Sequence, residues 1–347
     1  MKRLVIIFSA LAGWLVAGQS CTKNDQATPG AAISFRRPAN FPVAAYNFEE
    51  NTLTKAGFEL GHKLFYEDAL SADNSVNCGT CHQPFAAFAN LDHSVSHGIN
   101  NCFGTRNAPP LFNLAWQKDF MWDGGVGHIE LSPLNALTNP CEMGNTLDRI
   151  TATLSQTAPY PELFREAFGS PVINSQRLFK ALTQFMGMMV SASSKYDKVM
   201  RKENGASFSP DEQEGYRLFQ QKCAVCHQEP LFTDGSFRSN GLDGYSKDPG
   251  RDTITATGAD RGKFRVPSLR NIELTRPYMH DGRFLTLEAV LEHYHAGVKQ
   301  SPALDPGLKK NPTPGIPLTP KEQSQIISFL KTLTDNEFIH DHRFAEL

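Results

Sequence analysis

Two copies of one pattern constrain this chain more than any other feature: Cys-x-x-Cys-His, at Cys78–His82 in "SVNCGTCHQPFAAFA" and at Cys223–His227 in "KCAVCHQEP". Two thiols three positions apart at the start of a helical turn can add to the two vinyl groups of one haem, and the adjacent imidazole then reaches the iron. A four-cysteine zinc site is the alternative. The pairs lie 145 residues apart (223 − 78), against about 15–20 in such sites, and each pair has its own histidine. The residues therefore point to two covalently held haems c, with Cys78, Cys81, Cys223 and Cys226 as attachment points and His82 and His227 as proximal iron ligands. Each iron keeps one further position, and what fills it separates electron transfer from peroxide binding.

The other cysteines are read from the compartment. Lys2 and Arg3 precede an apolar run from Leu4 to Gly18, shorter than the roughly 20 residues of a spanning helix, which is the form of an export signal. It ends "LVAGQSC", a loose lipoprotein signal that makes Cys21 the lipidated N-terminus; ordinary cleavage leaving an unmodified cysteine is the alternative. The expectation is a periplasmic protein that meets the membrane by its lipid anchor only. In an oxidising compartment thiols tend to be bridged or covalently used. Of seven cysteines this leaves Cys102 and Cys141, either a disulfide or two buried thiols. The net charge of −2 and pI near 6.6 give no basic footprint, so nucleic acid is excluded as a partner.

Residues 22–43 carry polar residues, Pro and Gly without apolar periodicity and read as a tether. A helix is expected from Thr52 to Tyr66, and Ser209-Pro210-Asp211-Glu212 opens another with a capping box. Both lead into a paired-cysteine motif and share the spacing Gly-x-x-Leu-Phe (Gly61, Leu64, Phe65; Gly215, Leu218, Phe219), which indicates an internal duplication. Between them, Leu178, Leu182, Phe185 and Met189 share one helical face and read as core. "RKENGASFSP" (201–210) is the boundary between halves, and Thr319–Glu322 caps a last helix. No alternating strands appear. The fold class is mainly α, two cytochrome c-like domains with long loops: 1–21 signal, 22–43 linker, 44–204 and 205–347 the two domains.

From Leu53 to Phe338 the chain resembles the diheme cytochrome c peroxidase and MauG family, through "LSADNSVNCGTCH", "GTRNAPPLFNLAW", "FMWDGGVGHIE", "NPCEMG", "YPELFREAFG", "CAVCH", "FRVPSLRNIELTRPYMHDGRF" and "SFLKTLTD". The resemblance implies that the N-terminal haem reduces hydrogen peroxide to water. The C-terminal haem would receive electrons from a small cytochrome c or blue-copper donor. It implies Glu142 as the acid that moves the peroxide protons, Trp122 as the relay between haems, and a calcium ion on Asn107 and the carbonyls of Thr275 and Pro277. The family often carries glutamine where this chain has Ser132. A homodimer is a further expectation, which the sequence itself does not fix.

The sixth ligands distinguish branches of the family. Where typical peroxidases place methionine, fourteen residues after His280, this chain has Tyr294, which resembles the MauG branch; His293, His295 and Met279 are rivals. His97, with His93 nearby, is the candidate for a displaceable ligand at the first haem. Three functions follow: a diheme peroxidase, a MauG-like oxidase of a partner protein's side chain, and an electron-transfer cytochrome with both irons six-coordinate.

Overall fold

The computed structural model describes residues 30–310 and 312–346; the export signal and Cys21 lie outside the described residues. Each haem motif is preceded by a helix that local sequence specifies. Lys55–Phe65 starts where the Thr54 side chain accepts from the Gly57 amide. Pro210–Lys222 starts at a reciprocal Ser209–Glu212 capping box with proline in its first turn, which satisfies amides that have no intrahelical acceptor.

The shared Gly-x-x-Leu-Phe spacing acquires a reason from packing. Lys55–Phe65 crosses Ser175–Gly187, and Pro210–Lys222 crosses Pro320–Lys331. At the first crossing Gly61 meets the Ala181 carbonyl, and at the second Gly215 meets the Gln325 carbonyl; a Cβ on either glycine would collide with that oxygen. Leu64, Phe65, Leu218 and Phe219 then point into the two cores and are essentially fully buried, which drives the docking of each helix pair.

The duplication extends beyond these helices. Trp122 and His280 occupy equivalent turns, Met-Trp-Asp-Gly and Met-His-Asp-Gly, 158 positions apart (280 − 122). The preceding methionines have φ of 65° and 74° and the closing glycines φ of 70° and 67°, and each turn is closed by an antiparallel bridge, Phe120–Val126 and Tyr278–Phe284. Regular strand is confined to one short pair among the described residues, Phe237–Arg238 against Phe264–Arg265. The fold is mainly helical with long loops, and two apolar clusters form its cores.

Two segments depart from the sequence-based division. The segment read as a tether is packed from Gly30 onward: Gly30 donates to the Glu166 carbonyl, Ile33 to that of Leu53, and Phe41 is buried against Trp116. Aromatic residues at Phe35 and Phe41 give this segment apolar surface that its Pro and Gly content concealed. At the other end, Phe338 and Phe344 return to the first core, and Tyr66 Oη donates to the Phe344 carbonyl at 2.6 Å, so the last residues belong with the N-terminal half. Tyr196, on helix Lys195–Met200, lies in the second core instead. A buried ion pair joins these regions: Arg270 and Asp197 are fully buried and bidentate at 2.8 Å. Burial alone would raise the Asp197 pKa, but the guanidinium holds it below the usual carboxylate range. Among the described residues no helix is long and apolar enough to cross a membrane.

Candidate haem sites and the wall between them

Each Cys-x-x-Cys-His motif lies against a cavity, ≈ 560 Å³ at Cys78, Cys81 and His82 and ≈ 240 Å³ at Cys223, Cys226 and His227. In the first, Cys78–Cys81 is one helical turn capped by Asn77. His82 Nδ1 donates to the Phe88 carbonyl at 2.9 Å, and His227 Nδ1 to the Phe232 carbonyl at 3.1 Å. With Nδ1 committed, Nε2 is the nitrogen left to bind a metal, and the carbonyl orients the ring. Burial pulls the His82 pKa down to about 4 and lowers that of His227, so both rings stay neutral, as a ligand must.

Phe88 and Phe232 are fully buried and hold left-handed backbones, φ 60° and 55°, a conformation that costs a bulky residue of order 1–3 kcal/mol. In both halves it aims a carbonyl at the proximal histidine. The signal was present in "CHQPFAAF" and "CHQEPLF" but carries no motif weight. The donor set, two thiols and one oriented neutral imidazole beside a cavity, fits a covalently attached haem c in each half.

The larger first cavity contains Glu142. Asn139 Nδ2 donates to its Oε1 at 3.1 Å and Ser96 Oγ at 3.4 Å, and Oε2 has no partner among the described residues. Burial raises its pKa, partly offset by those two bonds. The segment is clamped from behind: Cys102 and Cys141 form a disulfide, the Ile99 amide donates to the Glu142 carbonyl, and Gly98 lies so close that a Cβ would collide with Glu142 Cα and carbonyl. Ser132 also lines this cavity, its Oγ donating to the Ile129 carbonyl. His97 lines the cavity too, yet its Nε2 donates to Asn101 Oδ1 at 2.7 Å and its ring stacks on Phe103 at 4.2 Å. His93 lies against His97 and does not line the cavity.

In the second cavity Tyr294 and Met279 are lining residues, while His293 and His295 are not. His293 Nε2 donates to the Asn240 carbonyl, and His295 Nδ1 accepts from the Leu318 amide. Tyr294 sits in a π-helical turn, His293–Gly297, which rotates it relative to a regular helix. Burial pushes its hydroxyl up to about 12, with a hydrogen bond to Asn240 pulling the other way. The Asn240 amide also donates to Met279 Sδ at 3.3 Å.

Asn107, Pro110, Trp122 and Arg265 line both cavities and form the wall between them. Trp122 Nε1 donates to the Asn107 carbonyl at 2.8 Å. Asn107 is buried and its Nδ2 donates to the Ser94 carbonyl, leaving Oδ1 without a donor among the described residues. Thr275 and Pro277 line the second cavity beside it. Sequence reasoning missed Arg265, which stands inside the "FRVPSLRN" segment but carries no spacing signal, and Asn240, which lies in no motif.

Residues 55–205 match the family model described as di-haem cytochrome c peroxidase, and residues 212–334 match that of cytochrome c. The methylamine utilization protein MauG of Methylorubrum extorquens is 34% identical over 304 residues, 86% of this chain and 83% of that one. The cytochrome c551 peroxidase of Nitrosomonas europaea is 33% identical over 285 residues, 80% of each. A solved MauG-like protein associated with microbial copper homeostasis superimposes with a TM-score of 0.80 at 30% identity, covering 90% of this chain and 99% of that one. The chain belongs to the diheme cytochrome c peroxidase and MauG family, an oxidoreductase family whose members carry two haems c.

Proposed function

We propose that this protein reduces hydrogen peroxide to water at the His82 site, using electrons that a small cytochrome or blue-copper protein delivers at the His227 site. The observation that carries this reading is the asymmetry of the two cavities across one wall: the first is roomy and holds the half-buried carboxyl of Glu142, while the second is smaller and lined by Tyr294. Bound haem supplies the iron redox chemistry, peroxide reduction in one cavity and single-electron exchange in the other. Glu142 Oε2 takes the proton from one peroxide oxygen and returns it to the departing one, a role that the raised pKa suits by bringing it nearer neutral pH. Asn139 and Ser96 hold Oε1 so that Oε2 keeps its aim. Trp122 occupies the wall as the electron relay. Calcium is the cation proposed for Asn107 Oδ1 and the carbonyls of Thr275 and Pro277, oxygen donors that suit a hard ion. Export and anchoring through Cys21 would put the protein beside a periplasmic donor.

Tyr294 favours a second reading, MauG-like oxidation of a partner protein's side chain, because an anionic oxygen ligand stabilises oxidised iron. His97, turned toward Asn101 and Phe103, also suits a first site with no ligand to displace. Steady-state turnover of peroxide with a reduced small cytochrome tests both. Rapid turnover is expected for the peroxidase; slow turnover with oxidation of an added partner protein would favour the second reading, and no reaction with peroxide would leave only electron transfer. Mass spectrometry should find two haems, at Cys78/Cys81 and Cys223/Cys226.

A further inference from the structure

Four cationic side chains line one or both cavities: Arg106, Lys222, Arg238 and Arg265. Three are neutralised by protein carboxylates. Arg106 pairs with Asp123 at 2.5 Å and Asp248 at 2.7 Å, Arg238 with Asp234 and Asp305, and Lys222 with Glu322. Arg265 has no carboxylate within ion-pair distance among the described residues, and its one side-chain hydrogen bond runs from Nε to the Met121 carbonyl at 3.5 Å, the outer limit of such a bond.

Its backbone is nevertheless tightly held. The Arg265 amide donates to the Trp122 carbonyl, and the residue pairs with Phe237 in the short sheet. Burial lowers its pKa to about 10, with Asp119 pulling back. A guanidinium carries five donors, and leaving a cation desolvated and unpaired is expensive. The fold therefore fixes a positive charge in the wall of two cavities and supplies no protein anion for it.

We propose that Arg265 is the shared counter-ion of the propionate carboxylates of both haems, so that one side chain ties the two cofactors together across the wall that also holds Trp122. A haem brings two carboxylates into its cavity, and the planar guanidinium matches carboxylate geometry bidentately. Arg106 and Arg238 are already engaged, which leaves Arg265 as the cation that reaches both sites. A positive charge near each iron stabilises the electron-rich ferrous state and raises both potentials. This inference rests on two bound haems and not on the choice between peroxide reduction and side-chain oxidation.

The test is spectroelectrochemical titration of both haems in the matured holoprotein, with haem content measured by mass spectrometry. Arg265→Gln should lower both midpoint potentials, while Arg265→Lys, which keeps the charge, should stay closer to wild type. Unchanged potentials in Arg265→Gln, or a shift at one haem alone, would overturn it. Should Arg265→Gln fail to fold, redox-difference infrared spectra of Arg265→Lys carry the test: the propionate carboxylate bands of both haems should move, because the bidentate fork is lost, and unmoved bands would overturn the inference. A wild-type protein that binds no haem would instead defeat the functional reading itself.

Discussion

The main-chain amide of Arg265 donates to the Trp122 carbonyl at 2.8 Å, and the amide of Asn107, its counterpart 158 positions earlier (265 − 107), donates to the carbonyl of His280, the counterpart of Trp122, at 2.7 Å. Each half thus holds the other half's Met-x-Asp-Gly turn, and the wall between the cavities exists only when both halves are folded together. Side chains tighten the same joint: Arg106 bridges Asp123 to Asp248, and Arg251 Nη1 donates to the carbonyls of Asp123 and Gly124.

Trp122 is placed by this joint, so its replacement should be felt between the haems and little elsewhere. Trp122→Phe removes the indole donor and leaves the Asn107 carbonyl unpaired, at a stability cost of about 1–3 kcal/mol. Turnover limited by transfer between the sites should fall by about tenfold or more, equivalent to ~1.4 kcal/mol on the barrier. Stopped-flow oxidation of half-reduced protein by peroxide checks this, with haem content as the control.

Glu142→Gln should reduce peroxide turnover by about 10²–10⁴-fold, the usual range for a positioned proton-transfer group. The pH profile carries the more specific sign. As the proposed base, Glu142 would take a proton in its ionised form, and burial raises its pKa, so wild-type activity should decline as pH falls through a value above the ordinary ~4.3 of glutamate. That acid limb should be missing from the residual activity of the variant.

Much of this was legible because covalent haem attachment demands residues adjacent in sequence. Cys78, Cys81, His82 and their second copies need one helical turn, and the capping boxes at Ser209 and Thr319 are equally local. Arg265 escaped notice because its meaning depends on which carboxylates lie near it in space, and the tail at Phe344 because its partners, Tyr66 and Phe58, come about 280 residues earlier. The turns at Trp122 and His280 lie in separate motifs that share only Met-x-Asp-Gly in sequence; their matching backbone signs at Met121 and Met279 mark them as one repeated device.

The Cys102–Cys141 disulfide joins the loop carrying Ser96 and His97 to the segment carrying Glu142. Replacing both cysteines by serine frees a loop spanning 39 positions, which in the chain-entropy model costs roughly 4 kcal/mol. The Gly98 contact and the Ile99 hydrogen bond remain, so the protein should still mature with two haems while denaturing at lower denaturant concentration. Peroxide turnover should drop, because Glu142 loses part of its support, with the potential of the His227 haem unchanged. Equal loss at both sites would mean that the bridge holds the whole fold and not the Glu142 segment.

Tyr294 carries the choice between the two functions proposed above. It and Met279 line the second cavity, and His293 and His295 are engaged elsewhere. In the apolar surroundings of this cavity burial favours the neutral phenol, so Tyr294 would be a phenolate only with a cation at its oxygen, a charge that a bound ferric haem would supply. Tyr294→Met should then replace an anionic oxygen by a neutral thioether and raise the reduction potential of that haem, since the thioether favours ferrous iron. Covalent attachment depends on Cys223, Cys226 and His227 and should be unaffected. The ferric optical and electron-spin-resonance spectra of the C-terminal haem should change with the ligand while those of the N-terminal haem stay as in wild type. A variant that keeps both the wild-type potential and spectrum would remove Tyr294 from the iron. Met279, already at the cavity wall and touching Asn240, would then be the residue to replace.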